Sequence, residues 1–219
     1  SEDMIRDLID SQDEVTIAPY ANPGEVIFRV SQRLESGDVD KTDEVVEAIV
    51  ERVGEFVFEI GQRTLNEVVL DMLVARGETC AFAESCTGGM LASSLASISG
   101  ASNALLGGFI TYNDEMKHSL LSVPLNILED EGAVSEACVR AMADHCRTLT
   151  GADYALAVSG FAGPSGGTED APVGTVYIAL SKHSGVSVKR FFFRGDRERV
   201  MRQSVAAALN LLRKDMIVG

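Results

Sequence analysis

Two potential nucleophiles, Ser85 and Cys86, lie in the segment AESCTGG at residues 83–89. The segment follows a short apolar run that predicts a strand and precedes a run with helical spacing, so it marks a strand-to-helix junction. Unpaired N–H groups at a helix N-terminus attract an oxyanion or a phosphate, and glycine allows a ligand close to the backbone. The alternative interpretation is that Ser85 or Thr87 only caps the helix. The spacing of the glycines does not match the GxSxG nucleophile elbow.

A serine nucleophile requires a base, and Lys117 is the strongest candidate for it. Lys117 follows Tyr112 closely and falls in the first turns of a predicted helix. Partial desolvation and nearby positive potential would favour its neutral amine, which can act as a general base. The alternative is a solvated lysine on the helix surface. His118 has no acidic residue predicted to orient it, and a surface position explains it more simply.

A second polar cluster, SGFAGPSGGT at residues 159–168, is rich in glycine. Its backbone amides can surround a phosphate or a ribose, although the segment is neither a Walker loop nor a dinucleotide-binding fingerprint. A plain flexible loop is the alternative. Arg197, at the start of the last predicted helix, can pair with a phosphate as a bidentate donor. Taken alone, Arg197 is explained as well by an exposed salt bridge.

The composition predicts a globular protein and excludes several classes of function. Apolar residues make up 46% of the 219 residues, enough for one mid-sized domain and a smaller companion. The apolar segments are shorter than the roughly 20 residues that span a bilayer, and the N-terminus lacks a signal-peptide pattern. We therefore expect a cytoplasmic protein with no membrane partner. The cysteines form no CxxC pair and the histidines show no metal-ligand spacing, so we expect neither disulfides, a metal site nor a cofactor.

The charge is distributed unevenly along the chain. A net charge of −14 argues against a nucleic-acid partner, because phosphates bind basic surfaces. Residues 1–60 contain 16 acidic and 5 basic residues, whereas residues 61–219 contain 17 acidic and 14 basic residues. The second part is therefore better suited to an anionic ligand. The acidity of the first part is most simply that of a solvated surface.

A change of sequence pattern coincides with this change of charge and indicates a domain boundary. Before it, VTIAPYA (15–21) and EVIFRV (25–30) predict two strands joined by an Asn-Pro-Gly turn, an acidic helix follows, and FVFEI (56–60) predicts a third strand. Residues 1–61 are thus predicted to form a small α+β domain, which we expect to be the tail of a longer protein. Residues 62–219 are predicted to form the second domain.

The second domain alternates predicted helices and strands, which is typical of an α/β fold. Its strands are nearly continuous in apolar residues, as a sheet covered on both faces requires. We predict a three-layer α/β/α domain with a mixed, mainly parallel central sheet, in which the last strands pair antiparallel across the turn KHSG. Ligands collect where the carboxyl ends of such strands meet, and ESCTGG, TYND and SGFAGPSGGT each follow a predicted strand. These clusters are therefore expected to form one site.

Five motifs occur in order along this domain: AESCTGG, GGFITYNDEMK, GAVSE, AVSGFAGPSGGTEDAPVGTVYIAL and FRGDRERV. In this order and spacing they closely resemble the CinA C-terminal domain family, whose members include nicotinamide-nucleotide amidases. The resemblance covers about residues 65–213. The preceding domain, with APYANPGEVIFRV, resembles the small KH-like middle domain of longer CinA proteins.

The resemblance implies hydrolysis of nicotinamide mononucleotide to nicotinic acid mononucleotide and ammonia, a step of pyridine nucleotide salvage that uses no metal or cofactor. Ser85 would be the nucleophile and Lys117 its base, with Tyr112 assisting. The residues that would bind the substrate are Thr87, Gly88, Gly89, Ser159, Gly160, Ala162, Gly163 and Arg197. Ser159 stands where many members have threonine, so the hydroxyl is retained. We also expect a homo-oligomer, such as a dimer.

Two alternatives to this function stay open on the sequence alone. Cys86 can replace Ser85 as the nucleophile, because the two residues are adjacent. The domain can also be a nucleotide-binding or interaction module without turnover. The family's association with competence and DNA damage suggests a DNA partner, for which the acidic composition gives no physical support.

Overall fold

The computed structural model of the chain describes residues 2–218 and divides into two compact units, Ser1–Gln62 and Arg63–Gly219. The division lies one residue beyond the predicted boundary between residues 61 and 62. Among the described residues, no helix combines the length and the apolar character needed to cross a membrane.

The first unit is a β-hairpin packed against helices. Its elements are a 3-10 helix (Glu2–Ile5), α1 (Arg6–Asp10), β1 (Val15–Asn22), β2 (Glu25–Gln32), α2 (Thr42–Val53) and a second 3-10 helix (Gly54–Phe56). The two strands pair antiparallel from Val15 opposite Gln32 to Asn22 opposite Glu25. The buried core of the unit contains Ile5, Ile17, Ile49 and Val53. The predicted hairpin and acidic helix are therefore present.

The predicted third strand at residues 56–60 is wrong, because the sheet of this unit has only two strands among the described residues. The chain instead makes a 3-10 turn in which the N–H of Val57 donates to the carbonyl of Gly54. This bond removes a donor that a β-ladder would need. Val57 packs against the core from the end of this turn, whereas Ile60 is exposed. The apolar pattern thus reflects packing and not strand pairing.

The second unit contains five strands and six α-helices among its described residues. In chain order they are α3 (Leu65–Arg76), β3 (Cys80–Glu84), α4 (Met90–Ala96), β4 (Leu105–Ile110), α5 (Asp114–Leu121), α6 (Leu125–Asp130), α7 (Glu136–Thr150), β5 (Tyr154–Gly160), β6 (Thr175–Lys182), β7 (Gly185–Phe192) and α8 (Arg197–Val218), with a 3-10 helix at Ala101–Asn103. Ser135 caps α7, and its side chain accepts from the N–H of Cys138. Asn113 caps α5, and its side chain accepts from the N–H of Met116.

The five strands form one mixed sheet in the order β4-β3-β5-β6-β7. β3 pairs parallel with both β4 and β5, whereas β6 pairs antiparallel with β5 and β7. Only β6 therefore runs against the other four strands. The carboxyl ends of β3, β4, β5 and β7 and the beginning of β6 consequently share one edge of the sheet.

Helices cover both faces of this sheet, and the predicted three-layer α/β fold class is confirmed. On one face, Val139, Met142 and Ala143 of α7 pack in a buried cluster with small strand residues. Those strand residues are Ala81, Ala83, Ala155, Ala157 and Ala179. Helices α3, α4 and α8 pack with one another and with the sheet to form the third layer. Alanines on the strands let α7 approach the sheet closely.

The buried carboxylate of Glu84 joins the end of β3 to the start of α4. Glu84 is 1% exposed. Its side-chain oxygens accept hydrogen bonds from the N–H groups of Gly89, Leu91 and Ala92 at 2.8 to 3.0 Å. These are amides that a helix leaves unpaired at its N-terminus, and the negative charge is favourable there. The carboxylate of Glu84 therefore pairs with most of the free amides at the start of α4.

We predict that Glu84→Gln lowers the free energy of unfolding of the second unit by about 3 kcal/mol, because the amide nitrogen of glutamine cannot accept from the α4 amides and leaves buried donors unpaired. Urea unfolding of the full chain, followed by circular dichroism, measures the change. Glu129→Gln on the exposed surface of α6 is the matched control and should change stability by less than about 0.5 kcal/mol. Equal effects of the two substitutions would contradict the role of the carboxylate.

Candidate active site

A cleft of about 200 Å³ opens at the edge of the sheet where the strand ends meet. It is lined by Ser85, Cys86, Tyr112, Asp114, Lys117, Ala133, Val134, Ser159, Gly160, Phe161, Ala162, Gly163, Ser165 and Arg197. These residues come from the loops after β3, β4, β5 and β7 and from the loop before α7. Eight of the eleven residues selected from the sequence are among them, and Thr87, Gly88 and Gly89 are not.

Ser85 is held at the floor of the cleft by the end of β3. Its N–H donates to the carbonyl of Val158 in β5, which extends the parallel ladder by one residue. The side chain is largely buried, and its hydroxyl has no hydrogen-bond partner among residues 2–218. A cleft-lining hydroxyl without an internal partner is free to react with a bound substrate.

Lys117 is a buried lysine in the wall of the cleft. Its Nζ donates to the carbonyl of Thr111 at 3.1 Å, and it lies 3.7 Å from Oδ1 of Asp114. Only 2% of the lysine side chain is exposed, whereas the carboxylate of Asp114 is 62% exposed. The solvated lysine considered in the sequence analysis is therefore not what the structure contains. No hydrogen bond joins Lys117 to Ser85 within the described part of the chain, although both line the cleft.

The end of β5 and the glycine-rich loop form another wall. Ser159 is 1% exposed, and its hydroxyl donates to the carbonyl of Ala133 at 2.7 Å. This bond fixes the segment before α7 against the sheet. Gly160 has no room for a side chain, because a Cβ would lie 2.7 Å from the carbonyl oxygen of Thr175. The end of β5 can lie close to the start of β6 because of this glycine.

Arg197 reaches the cleft from the first turn of α8. It donates from Nη1 to the carbonyl of Gly163 at 2.8 Å and from Nη2 to the hydroxyl of Tyr112 at 2.5 Å. Asp196 accepts from the N–H of Arg199 and so caps the helix that carries Arg197. Tyr112 is 58% exposed and lies at the mouth of the cleft. The guanidinium of Arg197 offers further N–H donors to an anionic ligand in the cleft.

Thr87, Gly88 and Gly89 were expected to bind the substrate, but they do not line the cleft. The N–H of Gly89 donates to Glu84, and that of Gly88 donates to the carbonyl of Ser85. The hydroxyl of Thr87 is buried and has no partner among the described residues. These residues shape the turn behind the cleft.

Cys86 is adjacent to Ser85 but differs from it in electrostatic environment. Burial raises the pKa of its thiol to about 12, and the buried Glu84 acts in the same direction. Arg197 and Lys117 act in the opposite direction, but more weakly than burial. The thiol is therefore almost entirely protonated at neutral pH, and the thiolate is the nucleophilic form.

Apart from Cys86, the alternative nucleophile, five cleft residues were not selected from the sequence: Asp114, Ala133, Val134, Phe161 and Ser165. All five belong to segments that the sequence had marked, namely the helix start TYND, the motif GAVSE and the glycine-rich loop. Ala133 and Val134 have no reactive or charged side chain that would single them out. Their place in the wall depends on the bond from Ser159. Within residues 2–218, no group of three or more His, Cys, Asp or Glu side chains is arranged to hold a metal ion.

Both units of the chain match families of known proteins. Residues 62–216 match the family model of the CinA C-terminal domain, and residues 1–58 match that of the damage-inducible protein CinA KH domain. A CinA-like protein of Dictyoglomus turgidum is 39% identical over 99% of this chain and 53% of its own length. A CinA-like protein of Thermotoga maritima is 39% identical over 97% of this chain and 52% of its own length. The chain thus spans about half the length of these relatives.

A solved structure has the same fold over most of the second unit. The CinA superfamily protein KP700603 of Klebsiella pneumoniae aligns with a TM-score of 0.68 and 38% identity, over 72% of this chain and all of that one. Together with the two family models, this similarity accounts for both units of the chain. The chain therefore belongs to the CinA family and consists of a CinA KH domain followed by a CinA C-terminal domain.

Proposed function

We propose that the cleft hydrolyses the carboxamide of nicotinamide mononucleotide to nicotinic acid mononucleotide and ammonia. The observation that carries this proposal is the convergence of the unpartnered hydroxyl of Ser85, the buried amine of Lys117 and the cation of Arg197 on one cleft. The resemblance to nicotinamide-nucleotide amidases supports the same substrate. No histidine lines the cleft, which favours a lysine as the base.

In the first half of the proposed reaction, Ser85 attacks the carboxamide carbon. Lys117 in its neutral form accepts the hydroxyl proton. Negative charge then develops on the carboxamide oxygen. The amide of Cys86 faces its own thiol, whereas that of Thr87 does not donate to Glu84 and is the available donor of this turn. Lys117, now an ammonium, returns its proton to the leaving nitrogen, and ammonia departs.

In the second half, water hydrolyses the acyl-enzyme ester. Lys117 accepts a proton from the attacking water as the new C–O bond forms, and then protonates Ser85 as the ester bond breaks. The product is the free carboxylate of nicotinic acid mononucleotide. The phosphate of the substrate stays bound at the cationic end of the cleft, where Arg197 and the glycine-rich loop supply N–H donors.

Ser85→Ala is expected to lower kcat for ammonia release by about 10³-fold or more, because it removes the group that forms the acyl-enzyme. Lys117→Met is expected to lower kcat by about 10²- to 10⁴-fold, since methionine fills the buried space without a base. A coupled ammonia assay with nicotinamide mononucleotide measures both changes.

Ser184→Ala is the matched control for this assay, since Ser184 is an exposed serine in the turn between β6 and β7 and does not line the cleft. It should keep kcat within about threefold of the unsubstituted chain. Turnover that survives in both Ser85→Ala and Lys117→Met would contradict the proposal. Binding of nicotinamide mononucleotide to the unsubstituted chain without any ammonia release would instead identify a binding module.

The raised pKa of Cys86 gives a separate test of the nucleophile. At pH 7.5 the folded chain should react with iodoacetamide at Cys86 at least about 100-fold more slowly than the urea-unfolded chain, in which the thiol pKa is about 8.5. The labelling rate should rise with pH and continue to rise above pH 9, since the folded thiol titrates near 12. Peptide mass spectrometry measures the rate at this position.

The matching activity experiment uses Cys86→Ala. Ammonia release should persist in this variant and after iodoacetamide treatment of the unsubstituted chain at pH 7.5. Loss of turnover in Cys86→Ala together with an active Ser85→Ala would assign the attack to the thiol and exclude Ser85.

A further inference from the structure

The hydrogen bond between Arg197 and Tyr112 connects loops from opposite edges of the sheet. Tyr112 follows β4 and Arg197 follows β7, and these are the two edge strands. Nη2 of Arg197 donates to the tyrosine hydroxyl at 2.5 Å, while Nη1 donates to the carbonyl of Gly163 in the loop after β5. The guanidinium is thus held at two points above the cleft.

The hydroxyl of Tyr112 is directed to Arg197 and not to the lysine. Lys117 is buried and donates to the carbonyl of Thr111. Tyr112 is more than half exposed, and its hydroxyl has no hydrogen bond to Lys117 or Ser85 within the described residues. An exposed hydroxyl that already accepts from an arginine is poorly placed to carry a proton between those two groups. The contact with Arg197 indicates a different role for this hydroxyl.

The hydrogen-bond donors of Arg197 and Tyr112 indicate the role of the tyrosine hydroxyl. An arginine has five N–H groups, and the two bonds to Gly163 and Tyr112 leave three of them for a ligand. The tyrosine oxygen accepts from Arg197, so its own proton is free to be donated. An anion at the exposed side of the guanidinium would therefore meet fixed N–H donors and a neighbouring O–H donor. A long side chain fixed before binding loses less conformational freedom when the anion arrives.

We propose that Tyr112 is a positioning residue, which orients Arg197 for an anionic phosphoryl group and donates its hydroxyl proton to the same group. This inference rests on the proposed function, in which that group is the phosphate of nicotinamide mononucleotide. It assigns Tyr112 to phosphate recognition instead of to proton transfer with Lys117. The hydroxyl then affects how tightly the substrate binds, and it leaves the chemical step unchanged.

The test uses Tyr112→Phe in the full chain, which removes only the hydroxyl. KM for nicotinamide mononucleotide should rise about tenfold, as expected for one charge-assisted hydrogen bond, while kcat stays within about twofold. The calorimetric Kd for inorganic phosphate should also rise about tenfold. The Kd for nicotinamide riboside, which lacks the phosphate, should not change. Tyr20→Phe, at an exposed tyrosine of the first unit, is the matched control and should change none of these constants.

A double-mutant cycle distinguishes a positioning role of Tyr112 from a purely structural one. Arg197→Lys should weaken phosphate binding, and Tyr112→Phe in that background should weaken it by only about threefold further instead of tenfold, since the direct O–H donation remains but there is no guanidinium left to orient. Full additivity of the two substitutions would contradict the positioning role. A tenfold fall in kcat with unchanged KM in Tyr112→Phe would also overturn it, and would return Tyr112 to proton transfer.

Phosphate binding keeps this inference separable from the proposed function. If the unsubstituted chain releases no ammonia but binds inorganic phosphate more tightly than Tyr112→Phe does, the amidase proposal fails and the positioning role stands. If ammonia is released but Tyr112→Phe leaves phosphate binding and KM unchanged, the amidase proposal stands and the positioning role fails. Absence of phosphate binding in the unsubstituted chain overturns the positioning role as well.

Discussion

Glu84 ends the inner strand β3, and its buried carboxylate accepts from three amides at the start of α4. The backbone of the same residue still belongs to the sheet, where its carbonyl accepts from Thr111. One residue therefore fixes the strand end, the helix start and the intervening turn relative to each other. Ser85 is the first residue of that turn, and its position in the cleft depends on this arrangement. A carboxylate at a helix N-terminus is favourable electrostatically, and burial makes an unpaired alternative costly.

This use of the helix terminus determines where an anion can bind. The dipole of α4 and most of its free amides are already paired with an internal carboxylate. A second negative charge at the same point would be repelled by Glu84. The cation available to an anion is instead Arg197, which is held by Gly163 and Tyr112. The cleft thus combines the hydroxyl of Ser85 with a guanidinium fixed by two hydrogen bonds, which suits a substrate that carries both an amide and a phosphate.

The mixed sheet brings these groups together. Because only β6 is reversed, loops after four strands open on one edge, and the cleft extends across the sheet from the loop after β4 to the loop after β7. Ser159 contributes to this arrangement through its bond to Ala133, which places the segment before α7 in the wall. Buried Cys86 lies next to Ser85, but burial keeps its thiol protonated at neutral pH. Burial therefore suppresses the thiolate of Cys86, whereas the hydroxyl of Ser85, which we propose as the nucleophile, is uncharged.

The sequence by itself determined the strands of the second unit, its helices other than α6, and the clusters from which the cleft is built. These features depend on periodicity and turn chemistry, which act between residues close in the chain. It did not determine that Arg197 pairs with Tyr112, 85 residues earlier, or that Glu84 occupies the amides of α4. It also predicted a strand at residues 56–60 where the chain forms a 3-10 turn and packs Val57 on the core. Such outcomes are decided by the tertiary structure, because burial and through-space pairing determine which donors, acceptors and apolar side chains have partners.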